Sequence, residues 1–398
     1  MAEQIDHKEI GKVLDLFHLE GENPGVVFWH SKGATLYNLI VDDLKNELKT
    51  QGYKLLKTPN ILALETFKKS GHYDNYQDKM FFTGNKAQME KNEPKWVMTP
   101  MNCPGQLEVY KSTMHSYKEL PIKLAEMGLV YRYEQPGEVN GLFRAREFMI
   151  DDAHIFALPK QVIGEVIKLI EFIISFYKKY DFEIDHIELS TRPEKSIGTD
   201  EQWAETEKAL KEALEKSQTN YKLNPGDGAF YGPKVDFHIK DNHGRTWQLG
   251  TIQVDMSMPE RLGCFYVDEK GEKKYSVMIH RAILGSIERF IGILLENDGG
   301  NLPEWLAPVQ AMVLPVSDKH LNYAKKVAED LGDIRTEVDV RNESVGKKIR
   351  DAELQKIPYI IVVGDKEEND ANITVRTRGS KDLKAQKIEE FLKSSKGN

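Results

Sequence analysis

LVYRYEQPGEVNGLFRAREFMIDDAHIF, residues 129–156, begins as a strand, crosses a Gly/Pro/Asn-rich loop at 135–141 and returns as a strand. A chain that doubles back in this way predicts a hairpin with antiparallel pairing. Arg132, Arg144 and Arg146 flank the loop, and Glu134 stands beside it. Arg132 and Glu134 are two apart, which puts them on one face of a strand. Arginines converging at a hairpin mouth suit polyphosphate, because the guanidinium fork is rigid and bidentate. A cation for phosphate beside a carboxylate for an amino group would suit ATP. The same residues also suit a surface hairpin with solvated charge pairs.

Around this hairpin the pattern mixes strands with helices. Gly33–Lys49 places Leu36, Leu39, Ile40, Leu44 and Leu48 at helical spacing. Tyr53–Thr58 reads as a strand stopped by Pro59. Gln161–Tyr180 reads as an apolar helix ending in Lys178 and Lys179, which suit a helix C-terminus. Phe182–Leu189, Val235–Lys240, Arg245–Met258 and Ser276–Ile279 read as strands. A long helix follows at about 284–296, and the Lys/Glu-rich stretch 83–97 reads as a surface loop. The expected fold of this part is α+β, an antiparallel sheet flanked by helices. Leu302–Pro308 (LPEWLAP) reads as a linker. Beyond it, strands at 311–316, 336–340, 359–363 and 373–376 alternate with helices at 319–331 and 345–355. That rhythm predicts a small α/β domain with parallel pairing. The expected domains are 1–302 and 308–398.

Composition narrows the classes. The chain has 398 residues, 40% of them hydrophobic, too many for one ordinary core. Charged residues make up 30% and Gly plus Pro is unremarkable, at 29 and 16, which beside the 40% hydrophobic content excludes a collagen-like, low-complexity or largely disordered chain. No apolar run approaches the ~20 residues of a membrane span, and no apolar signal region opens the chain, so no membrane partner is expected. Cys103 and Cys264 make no disulfide framework, and a cytoplasmic location is the expectation. The net charge is −8, yet residues 308–398 carry +1. Nucleic-acid binding through a local basic face stays open. Only 13 of the 55 basic residues are Arg, so each Arg is worth inspecting.

Cys103, in the Pro-flanked turn TPMNCPG (99–105), is a metal candidate together with His154 and His280. The three have no local spacing signature, and cysteine is often only a small buried hydrophobe. Arg289, in the helix GSIERFIGILLE (285–296), needs an anion, a π face or a carboxylate such as Glu288.

Taken together, these segments resemble the threonyl-tRNA synthetases, a family of class II aminoacyl-tRNA synthetases. Residues 57–81, 129–156 and 285–296 are similar to the three class motifs. TPMNCPG, STRPEKSIG (190–198), FYGPKVDF (230–237) and VMIHRAILGS (277–286) match further stretches, and VRNESVGKKIRDAE and PYIIVVGDKE resemble the family's anticodon-binding domain. The resemblance implies ATP-dependent ligation of L-threonine to tRNA(Thr) through a threonyl-adenylate, with Mg²⁺ accompanying ATP. It implies that Zn²⁺ on Cys103, His154 and His280 reads the threonine amine and hydroxyl. Met101, Asp152, Tyr231 and Gln253 would surround the amino acid. Arg132, Glu134, Arg144, Phe148, Gln248, Thr251 and Arg289 would hold ATP, with Arg132 also stabilising the reacting phosphorus. His72 matches a histidine near the transfer site. Asn342, Glu367 and Arg376 would read anticodon bases, with Lys347, Lys348 and Arg350 on phosphates. A homodimer is implied; apolar Ile61, Leu62, Leu64 and Phe67 are compatible with its interface, and equally with a core.

Two departures carry expectations. Ile150 stands where many family members have Gln, and Glu147 adds an acid near the phosphate arginines. The longer bacterial members carry an N-terminal editing domain, and the chain is expected to lack editing of seryl-tRNA in cis. A catalytically silent tRNA or amino-acid sensor is the alternative, disfavoured because the motif arginines and zinc ligands are intact.

Overall fold

The computed structural model describes residues 6–395, in two compact units. One comprises 19–27 with 41–293; the other comprises the residues up to His18, 28–40 and those from Leu294 onward. Among the described residues, no helix is long and apolar enough to cross a membrane.

The larger unit is built on an eight-stranded sheet. In chain order its strands are β1 (Lys54–Leu55), β2 (Ile122–Tyr131), β3 (Glu147–Ala157), β4 (Glu183–Ser190), β5 (Lys222–Asn224), β6 (Lys234–Lys240), β7 (Thr246–Asp255) and β8 (Val277–Ala282). Their order across the sheet is β5-β4-β6-β7-β8-β3-β2-β1. All pairs from β4 to β2 are antiparallel; only the short edge strands β1 and β5 pair parallel. Helices α1 (Val162–Lys179) and α2 (Asp200–Lys216) pack on each other and on the sheet. Val166, Ile170, Ile173 and Tyr177 form the buried stripe of α1, three and four residues apart as an amphipathic helix requires. Arg281 is fully buried and held by Asp151, whose carboxylate also accepts from the Ile283 and Leu284 amides.

The register sets up the functional face. His280 lies opposite His154 on one side and Gln253 on the other, and Ala282 lies opposite Thr251. Strand side chains alternate, so Phe148, Ile150, Asp152 and His154 share this face.

The smaller unit contains a five-stranded sheet: β9 (Ala311–Pro315), β10 (Thr336–Val338), β11 (Tyr359–Val363), β12 (Ile373–Thr377) and β13 (Leu383–Gln386), in the order β10-β9-β11-β12-β13. Helices α3 (Leu321–Asp330) and α4 (Val345–Leu354) connect its first three strands.

Several expectations need correction. The sheet is mixed: β10, β9 and β11 are parallel, but β12 and β13 run antiparallel. Cys103 is not in a turn; it heads the helix Cys103–Lys111, where Pro104 suits the first turn. The strand before the hairpin loop ends at Tyr131, so Arg132 and Glu134 lie in the loop. The strand expected at 53–58 shrinks to Lys54–Leu55, and Met258 belongs to the helix Ser257–Leu262. The stretch 83–97 contains a helix, Lys86–Glu90, and reaches the strand Trp96–Met98.

Candidate active site

The exposed end of this sheet face opens into a cavity of about 520 Å³. Its lining includes Met101, Cys103, Arg132, Glu134, Arg144, Phe148, Asp152, Tyr231, Gln248, Thr251, Gln253, His280 and Arg289. Thirteen of the expected site residues, scattered over nearly 190 positions, therefore converge. Ile150 lines it too, with an apolar side chain where a polar one was the family expectation.

At the inner end sits the metal candidate. The donor atoms of Cys103, His154 and His280 lie within 4.8 Å of one another, and all three residues are buried. Cys103 Sγ is 3.5 Å from His280 Nδ1, which is 3.0 Å from His154 Nε2. The other nitrogen of each imidazole is engaged: His154 Nδ1 with Gln106 Oε1 at 2.9 Å, His280 Nε2 with Asp255 Oδ2 at 3.2 Å. Gln106 Nε2 donates to the Asp152 carbonyl, which fixes the amide so that its oxygen faces His154. Both acceptors are oxygens, so each imidazole spends its N–H outward and turns a lone pair inward. Burial pushes the Cys103 thiol up and His154 well below the usual imidazole range. Two facing lone pairs and a thiol make a donor set that fits zinc, for which Cys and His are the usual ligands.

Beside it, burial raises the Asp152 carboxyl to about 6, against the opposing pull of His280 and Arg281. Tyr231 stacks on His280 at 4.6 Å between ring centres and donates to Gln253 Oε1. Gln253 in turn donates to Thr251 Oγ1 at 3.2 Å.

The outer part of the cavity is cationic. Arg132 lies over the Phe148 ring at 5.1 Å and gives its Nε to the Pro100 carbonyl. Arg289 gives its Nε to the Phe143 carbonyl. Burial, with Arg144 and Arg132 nearby, pulls Arg289 below its ordinary value. Among the described residues neither Arg132 nor Arg289 makes an ion pair with a carboxylate; the Glu288 reading for Arg289 does not hold, since Glu288 accepts from Met149 N and Ser286 Oγ. Arg146, by contrast, is structural: its guanidinium donates to the Glu134 carbonyl and lies against Tyr133.

Sequence reasoning missed Lys79 and Glu138. Lys79 Nζ bridges Glu134 at 2.8 Å and Glu138 at 2.7 Å, and Arg144 approaches both carboxylates at 3.9 and 3.7 Å. Lys79 and the Gln135 amide hold the Glu138 carboxyl down at about 2. Tyr76, Phe143 and Lys234 also line the cavity unforeseen. Nothing local marks Lys79, which lies 55 residues from Glu134.

His154 and His72 do not line the cavity. His154 is fully buried behind His280. His72 is fully buried, bonded to Ser70 Oγ at 2.8 Å and edge-on to Phe230, which does line it. Burial, with the charges of His280 and Arg132, lowers His72 to about 3.

The three anticodon candidates all lie in the smaller unit. Asn342 is exposed in the loop after β10, and Glu367 follows β11. Glu367 accepts from Gly364 N and Thr374 Oγ1, serving its own helix terminus. Arg376 lies opposite Ile360, near the start of β11, and pairs with Glu353. Lys348 is not a phosphate ligand: it is buried and donates to the Pro315 and Asp339 carbonyls.

Comparison with known proteins agrees with this geometry. Residues 85–298 match the tRNA synthetase class II core domain (G, H, P, S and T), and residues 310–397 match an anticodon binding domain. The threonine–tRNA ligase of Caldanaerobacter subterraneus subsp. tengcongensis is 50% identical over 98% of the chain. The chain spans 60% of that relative's length. The RNA binding domain of threonyl-tRNA synthetase from Cryptosporidium parvum Iowa II superposes with a TM-score of 0.92 at 40% identity, covering 98% of this chain and 97% of that one. A putative threonyl-tRNA synthetase from Aeropyrum pernix gives a TM-score of 0.82 at 26% identity, covering 98% and 95%. The chain therefore belongs to the threonyl-tRNA synthetase family, with a class II core followed by an anticodon-binding domain.

Proposed function

We propose that this chain ligates L-threonine to tRNA(Thr). A threonine carboxylate oxygen attacks the α-phosphorus of ATP and pyrophosphate leaves, giving threonyl-adenylate; a ribose hydroxyl of the tRNA's terminal adenosine then attacks the threonyl carbonyl, the acyl–phosphate bond breaks and AMP leaves. The observation that carries this reading is that Cys103 and His280, two members of a buried N,N,S donor set completed by His154 behind them, line one cavity with Arg132, Arg144 and Arg289.

Cys103, His154 and His280 would hold zinc, which supplies a Lewis acid with open positions for an amine and a hydroxyl. Asp152 accepts from that hydroxyl and excludes a methyl group in its place. Met101, Tyr231 and Gln253 close around the amino acid, Tyr231 held in place by its stack on His280. Arg132 neutralises charge on the α-phosphate as it is attacked, and Arg144 takes the γ-phosphate. Mg²⁺ enters with ATP. Phe148 and Arg289 enclose the adenine, Glu134 accepts from its amino group, and Gln248 and Thr251 line the nucleotide. His72 acts through Phe230 as a positioning residue, since it is neutral and behind the wall.

Residues 1–302 serve catalysis and 308–398 the anticodon, with Asn342, Glu367 and Arg376 as base readers. A cytoplasmic homodimer completes the reading. Ile61 and Trp96, each 48% exposed on one small sheet, offer apolar surface to a second copy.

ATP–pyrophosphate exchange and tRNA charging with threonine test the proposal. Threonine-dependent exchange followed by charging is expected. Absence of exchange with zinc-loaded, folded protein would overturn it.

A further inference from the structure

Lys79 grips the loop 132–138 twice. Its carbonyl accepts from Tyr133 N at 2.9 Å, and its ammonium bridges Glu134 Oε2 at 2.8 Å and Glu138 Oε2 at 2.7 Å. It ends the short turn Gln77–Lys79, directly after the helix His72–Tyr76. The same segment meets the loop at two more points. The Arg132 guanidinium lies over the Tyr76 ring at 5.8 Å, and Phe81 meets Tyr133 edge-on at 5.3 Å.

The loop holds Glu138 in a fixed attitude. Glu138 N donates to the Gln135 carbonyl at 3.0 Å, and Glu138 Oε2 accepts from Gln135 N at 2.7 Å. Oε2 is therefore shared by an amide and Lys79, while Oε1 is the oxygen 3.7 Å from Arg144 Nη1. Arg144 Nε stands 3.9 Å from Glu134 Oε2. Both separations exceed hydrogen-bond distance. Lys79 makes the two short contacts and Arg144 neither.

The charge count gives that division its consequence. Two carboxylates beside Arg144 would by themselves outweigh its charge and set a net negative charge before a triphosphate. One ammonium between them restores neutrality without spending the guanidinium. The two acids raise the Lys79 ammonium above its ordinary value, so it keeps its charge at neutral pH. The Lys79 and Glu138 side chains are 30% and 35% exposed. Exposed ion pairs of this kind add little to stability. Their effect lies in which cation stays available to a ligand.

We propose that Lys79 is a positioning residue for the nucleotide: it keeps Glu134 and Glu138 off Arg144, so that the guanidinium is left for phosphate and Glu134 Oε1 for an amino group of the base. This rests on the ATP-binding roles proposed above for Arg144 and Glu134.

The test compares the full chain with its Lys79→Met, Glu138→Gln and doubly substituted variants, with circular dichroism to verify folding. Calorimetric titration with Mg-ATP, without threonine or tRNA, gives the affinity; threonine-dependent pyrophosphate exchange gives KM and kcat. Lys79→Met is expected to bind ATP about tenfold more weakly, the scale of a lost hydrogen bond to a charged group. The KM for ATP should rise in step, while kcat and the KM for threonine move far less. Adding Glu138→Gln to Lys79→Met is expected to recover at least about threefold of the loss, because the amide still accepts from Gln135 N but no longer draws Arg144. A role confined to holding the fold would show no such recovery. Unchanged ATP affinity in folded Lys79→Met would overturn the proposal, and so would a loss that Glu138→Gln leaves in full. Failure of the proposed function shows elsewhere, in a parent chain that binds ATP yet activates no threonine.

Discussion

His154 Nε2 and His280 Nδ1 face each other at 3.0 Å inside a buried site, each with its opposite nitrogen already engaged. Two lone pairs so placed repel each other until a cation lies between them. Gln106 sets the His154 tautomer, so it governs affinity without touching the ion. Gln106→Leu is expected to weaken zinc binding about 10–100-fold, the usual cost of losing such a partner. Competition with a chromophoric chelator measures it, and unchanged affinity would show that the tautomer is set elsewhere.

On the proposed function, substrate choice would follow from the same centre. A site that requires a hydroxyl rejects an analogue lacking it by about 10⁴-fold or more, whereas loss of one methyl costs only about 10–200-fold. Pyrophosphate exchange is therefore expected to rank threonine above serine, with valine near background. Serine and valine activated equally would mean that neither zinc nor Asp152 reads the hydroxyl.

The arginines divide by partner. Among the described residues no carboxylate lies within 4 Å of the Arg132 guanidinium, while Arg144 lies within 4 Å of Glu134 and Glu138. Arg132→Gln is expected to lower kcat for exchange by about 10²–10³, as for other groups that meet charge in the transition state. Arg144→Ala is expected to raise the KM for ATP more than it lowers kcat. The reverse split would exchange the two roles.

Much of this was legible because period-2 alternation carries the site: 148, 150, 152 and 154 share a face by arithmetic alone. The long apolar helix 162–179 was equally plain. What escaped detection depends on distance or on local chemistry that hydrophobicity does not report. Lys79 meets Glu134 across 55 residues. The helix Asp200–Lys216 has a weak apolar stripe, yet Thr199 and Gln202 form a capping box that announces its start. Parallel pairing was over-extended in the smaller unit because alternating strands and helices cease after β11, where hairpin-like returns begin. The candidate zinc ligands showed no spacing of their own, and the family resemblance is what raised them from three of several Cys and His residues to a ligand set.

Lys348 gives a prediction opposite to its expected role. Its ammonium is buried and donates to two carbonyls, at 3.1 and 3.4 Å. Lys348→Met leaves those oxygens unanswered, which costs about 1–3 kcal/mol. Denaturant unfolding should register that loss. A phosphate ligand would instead reduce the salt slope of tRNA binding by about one, with stability unchanged.

His72 makes acid stability testable. Burial, then the charges of His280 and Arg132, lowers it from 6.5 to about 3 in the folded chain. Between those values the unfolded chain holds one proton more than the folded chain. Stability therefore rises with pH across the window from 3 to 6.5, by up to about 1.4 kcal/mol per pH unit from this group. It is lost progressively as pH falls below 6.5. His72→Gln keeps a polar group near Ser70 but cannot titrate, so urea unfolding between pH 4.5 and 7.5 should show a slope shallower by about one proton. Parallel slopes would mean that His72 is charged in the fold, and its position behind Phe230 would then have to open to water.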